Sequence, residues 1–105
     1  MLTQPALYRS DLTPAEENLL WFGQGPGHDY FYSSRVMAEA LALYNQTVLD
    51  ICRQRQVECL DLAELLPRDT TIFYDDVHFT EQGARQVAGV MADYLLSRPP
   101  FRIVD

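Results

Sequence analysis

Val57-Glu58-Cys59-Leu60-Asp61-Leu62 is the stretch whose reading decides the fold, and it reads as a strand. The residues before it carry the strongest periodic signal in the chain. Met37, Ala40, Leu41, Tyr44, Val48, Ile51 and Cys52 step by three and four along one face, which predicts a helix over 34–56. Ser33 or Ser34 supplies its cap, and Arg53 and Arg55 sit near the negative end of its dipole. At 1.5 Å per residue this helix is roughly 34 Å long, enough to cross back over a sheet. Residues 1–8 (MLTQPALY) read as the end of another strand running into a loop at Pro5. Strand, long helix, strand is a βαβ unit with a right-handed crossover, so the expected class is α/β.

Shorter signals punctuate the rest. Thr13-Pro14-Ala15-Glu16 is a helix start with a capping box and Pro at the first helical position. Phe22-Gly23-Gln24-Gly25-Pro26-Gly27 ends that helix in a surface loop, and without a Lys or a suitable preceding strand it is a poor phosphate loop. Asp61 and Glu64 have capping-box spacing for a short helix ended by Pro67. A last helix follows Thr80, with Ala84, Val87, Ala88, Met91 and Leu95 as its buried stripe, Gly83 allowing close approach in its first turn, and Pro99-Pro100 ending it. Residues 101–105 read as a terminal extension. Only two strands are legible, too few for a doubly wound sheet, so sheet edges are expected to be open.

Composition mainly excludes. The 105 residues suit one domain and carry a net charge of −7, with eight Arg and no Lys. A nucleic-acid surface is not expected from such a balance. P-loop, Schiff-base and Ser-Lys chemistry supplied by this chain is excluded. No apolar run approaches a bilayer span, and residues 1–5 do not read as a signal peptide, which makes the cytoplasm the default location. Cys52 and Cys59 read as reduced, buried apolar side chains.

Chemistry concentrates in Tyr74-Asp75-Asp76-Val77-His78-Phe79-Thr80. A catalytic His needs a carboxylate on its Nδ1–H, and three residues of spacing on a turn lets Asp75 reach back to His78. On spacing alone, a helix-entry loop with surface acids explains the same residues. His28 and Asp29 with Asp75, Asp76 and His78 would offer metal-ligand types, but no regular spacing joins the two segments, so neither metal nor cofactor is expected. Trp21, Phe22, Tyr30, Phe31 and Tyr32 form either a substrate-side or partner-side lip or a loop packed down by its aromatics.

Tyr44-Asn45, the strand ending in Asp61-Leu62, and Asp75-x-x-His78 followed by Thr80-x-x-Gly83 and the last helix occur in an order that resembles the C-terminal part of SGNH/GDSL-type hydrolases. The likeness covers about residues 40–97, and more loosely Thr3-Gln4-Pro5. It implies that residues 1–105 are one partial domain of a three-layer α/β/α, flavodoxin-like parallel-sheet fold, with the sheet incomplete in this chain. It further implies ester hydrolysis by a Ser-His-Asp triad. The family's triad His falls on His78 and its Asp on Asp75, while Asp76 falls on a variable position and reads as a solvated neighbour. The Gly-Asp-Ser nucleophile block and the oxyanion-hole Gly and Asn blocks are absent. Ser10, Ser33, Ser34 and Ser97 lie in other contexts. Met1 begins beyond the place those blocks hold in the family, so negligible esterase activity is expected from the isolated chain. A small-molecule ester is the expected substrate once the N-terminal part is supplied. The second expectation is a noncatalytic α/β interaction module that forms a homo-oligomer, or completes a partner's sheet, through an open edge.

Overall fold

Local signals place the helices almost where the sequence predicts them. The computed structural model describes residues 1–102 and contains α1 (Pro14–Glu17), α2 (Ser34–Arg55), α3 (Leu62–Leu65) and α4 (Glu81–Leu96). Part of the terminal extension, residues 103–105, lies outside the described residues. Thr13 and Glu16 form the reciprocal capping box of α1. Ser33 caps α2 by accepting from the Val36 amide, and Gln56 ends it in the left-handed region at φ 54°.

The α/β expectation is overturned. Helices hold 45% of the structure and strand-type residues 6%, confined to three isolated bridges, so the described residues contain no sheet. A three-layer, flavodoxin-like arrangement is therefore not the architecture of this chain. The open sheet edge on which the homo-oligomer and the partner-sheet expectations rested is missing with it.

The physical reason lies in how residues 1–8 meet 57–62. They do run parallel, through the Leu2–Leu60 bridge: Thr3 N donates to Leu60 O at 3.2 Å and Leu60 N to Met1 O at 3.0 Å. The pairing then stops. The Thr3 hydroxyl donates to Asp61 Oδ1 at 2.7 Å and accepts from Ala63 N at 2.9 Å, which turns the chain into α3. Thr3 thus caps α3, and Asp61, the expected cap, makes no side-chain capping bond. On the other strand, Asn45 from α2 takes both backbone groups of Gln4, accepting from its N–H at 2.8 Å and donating to its C=O at 2.9 Å. Pro5 has no N–H to offer. The next donor of the partner segment, Leu62 N, bonds instead to Leu60 O at 3.0 Å, so the pairing ends after one bridge, and Asn45 occupies the opposite edge at Gln4.

The core is small: Leu7, Leu62, Leu66, Ile72 and Phe73, with Leu12, Leu20, Phe79, Val87 and Val90 packed around it. α4 is seated on it by Gly83, where a Cβ would lie 2.2 Å from the Ile72 carbonyl oxygen. That close approach sets the rotation of α4. Gly83, Val87, Val90, Met91 and Tyr94 turn inward, whereas Ala84, Ala88 and Leu95 of the expected stripe are exposed. The cysteines also depart from expectation, since Cys52 and Cys59 are disulfide-bonded across a Cα–Cα distance of 6.1 Å. Seven positions apart, they tie the end of α2 to the segment entering α3.

Candidate active site

The candidate site is built on the segment between the core and α4. Asp69 Oδ1 accepts from the Thr71 amide at 2.8 Å, which opens a turn into Ile72 and Phe73. An antiparallel Phe73–Phe79 bridge closes the segment, and Tyr74 N donates to His78 O at 3.1 Å inside it. Thr80 fixes the exit. Its amide donates to Ile72 O at 2.8 Å and its hydroxyl accepts from Gly83 N at 2.9 Å, capping α4. Residues 74–78 are therefore a short loop pinned at both ends to the core.

Inside this loop the structure brings Asp75 and His78 together. Asp75 Oδ1 accepts from the amides of Val77 at 3.0 Å and His78 at 2.8 Å, and Oδ2 lies 2.8 Å from His78 Nδ1. The same carboxylate thus folds the turn and meets the ring. Trp21 Nε1 donates to Oδ2 from across the molecule at 3.2 Å. Partial burial pushes the Asp75 carboxyl up, but the bonds from the His78 and Val77 amides, the His78 ring and the Trp21 indole outweigh it, and its pKa falls to about 2. An ionised acceptor on this side assigns the proton of a neutral imidazole to Nδ1 and leaves Nε2 as the basic nitrogen. The ring is not sealed in, because 53% of the His78 side chain is exposed. Trp21 (centroids 6.4 Å apart, 7°) and Tyr74 (5.8 Å, 15°) both lie nearly parallel to it.

Asp76 contradicts its reading as a solvated neighbour. It is 0% exposed and accepts three bonds, from Tyr8 Oη at 2.9 Å and from the backbone N–H groups of Trp21 at 2.7 Å and Phe22 at 3.1 Å. Its own carbonyl accepts from Leu7 N at 2.9 Å. Burial first, and then the bond to this carboxylate, raise the Tyr8 phenol far above its usual range. Asp76 is the post that holds residues 7–8 and 21–22 against the site loop. Its partners stand 54 to 68 positions away, so no local signal in the sequence marks it.

Other candidates stay apart. His28 and Asp29 are in the exposed loop between Gly23 and Tyr32, and among the described residues no group of three or more His, Cys, Asp or Glu side chains could hold a metal ion. The aromatics divide: Trp21 joins the site, whereas Tyr30 and Tyr32 pack edge to face on each other. Ser33 caps α2, Ser34 is buried and Ser97 donates to Tyr94 O, and among the described residues no serine hydroxyl bonds to His78. Beside the loop, Phe22, Met37, Leu41, Tyr44 and Val77 line an apolar groove of about 450 Å³.

Comparison of the chain with family models, curated proteins and solved structures returns no match. The functional reading therefore rests on the residues themselves. Among the described residues no helix is long and apolar enough to cross a membrane.

Proposed function

We propose that this chain supplies the histidine and its orienting carboxylate to a serine ester hydrolase of the SGNH/GDSL type. One observation carries the reading: an ionised Asp75 holds Nδ1 of a half-exposed imidazole at 2.8 Å, leaving Nε2 directed away from the acid. The motif order given above supports it. His78 Nε2 is then the general base that takes the proton of a serine hydroxyl as the oxygen attacks the ester carbonyl. The same proton goes to the departing alkoxide when the acyl–oxygen bond breaks. A water molecule repeats the sequence to release the acid and restore the serine. Asp75 stabilises the imidazolium at each stage without taking its proton. The serine and the oxyanion donors come from outside these residues, and the substrate is a small ester.

Short-chain aryl ester hydrolysis tests this reading in the natural polypeptide that carries these residues and in its His78→Ala variant. The expected loss is about 10³-fold or more in kcat. Unchanged turnover in that variant, or turnover by the 105-residue chain that depends on His78, overturns the reading.

A further inference from the structure

We infer that Trp21 is the positioning residue of the Asp75–His78 pair, gripping the acid through its indole N–H while its ring lies nearly parallel beside the imidazole. The inference deepens the hydrolase reading and rests on it for its purpose, although its geometry stands apart. Asp75 Oδ1 is occupied by the two amides of its own turn. Oδ2 alone is left for the imidazole, and a single bond there would let the ring swing about its own side-chain torsions. The indole N–H, 3.2 Å from the same oxygen, adds a second donor from a different part of the molecule. Its ring centroid lies 6.4 Å from that of the imidazole at 7°, and that of Tyr74 lies 5.8 Å away at 15°, so both aromatics crowd the space in which His78 could turn.

Trp21 is itself held from behind. Its backbone N–H and that of Phe22 both donate to the buried Asp76 carboxylate, so the two adjacent acids act in sequence: Asp76 fixes Trp21, and Trp21 fixes Asp75. A tryptophan recruited only to fill the core would be covered, yet 53% of this one is exposed. Its polar edge is the part that is committed. Amphipathic aromatics commonly divide in this way, with the N–H finding a partner while the ring keeps its contact area.

NMR on the labelled 105-residue chain tests the assignment without any turnover. In the unaltered protein the Trp21 Hε1 resonance is expected to move as the Asp75 carboxyl is titrated, with a shared midpoint. Trp21→Phe keeps an aromatic ring beside the imidazole and deletes the donor. It is expected to raise the Asp75 midpoint by about half a pH unit or more, because a hydrogen bond to the charged form is lost. It is also expected to weaken the Nδ1–H signal of His78, with amides remote from the loop unchanged. An indole proton that ignores the Asp75 titration, or a Trp21→Phe variant with unaltered Asp75 midpoint and His78 tautomer, overturns the inference. Should these signals move while the natural polypeptide's turnover ignores His78→Ala, the hydrolase reading falls and the positioning role of Trp21 stands.

Discussion

The segment from Ile72 to Gly83 and helix α2 make opposite use of their apolar residues. α2 is 22 residues long with a regular apolar stripe, yet it buries only Ser34, Val48 and Cys52, leaving Tyr44 and Ile51 of that stripe exposed. The site segment has no stripe at all. It nevertheless buries Ile72, Phe73, Asp76 and Gly83 and is pinned by hydrogen bonds at both ends. Periodicity marks which face of a helix can be buried, but burial needs something to pack against it. The site loop adds long-range polar contacts, through Asp76 and Trp21, to its own turn bonds, whereas α2 owes its helix to local bonds alone.

That contrast can be broken at its strongest point first. Asp76→Ala should be the most damaging single change, since it strands the Tyr8 hydroxyl and two backbone N–H groups. A loss of about 3 kcal/mol or more in urea unfolding is expected. Gly83→Ala forces a methyl group against the Ile72 carbonyl and should cost about 1–3 kcal/mol in the same assay, with the shift confined to α4 and the site loop. Asn45→Ala tests the one strong polar tie between α2 and residues 1–8. Losing both bonds to Gln4 should cost about 1 kcal/mol, because the site is exposed and water replaces part of the contact.

Acid sharpens the comparison further. The folded Asp75 titrates at about 2 against an ordinary value of 3.8, so folding favours its ionised form. This contribution is fully present above about pH 4 and is lost as the pH falls through about 2. Stability measured across that window should fall less steeply in Asp75→Asn than in the unaltered chain. The smallest effect belongs to the face of α2 that meets solvent. Leu43, 72% exposed, should tolerate Leu43→Ala within about 0.5 kcal/mol, and a larger loss would mean that α2 is covered in solution.

Much of the site is legible in a short reading frame. Asp75 and His78 meet because an acid that caps the turn after it also lies beside a side chain three positions on, and Thr80 and Gly83 announce the helix that follows. Asp76 and Trp21 are not legible in this way. An acid beside another acid looks solvated, and a tryptophan beside a glycine loop looks like a surface lip, until the chain brings residues 21 and 76 together. The missing sheet has the same origin. The segments 1–8 and 57–62 each have strand-like residues, but strand pairing needs free donors at the next positions, and here Pro5 has no N–H while Leu62 N is taken by Leu60 O.

The sequence by itself determined the starts of α1, α2 and α4, the length of α2 and the Asp75–His78 turn, because caps, periodicity and turn bonds act over three or four residues. Only the tertiary structure decided that the two extended segments form a single bridge, that Asp76 is buried, and that Trp21 closes on Asp75. Each of those outcomes joins groups more than fifty positions apart, where competition among all available partners, and not local preference, selects the contact.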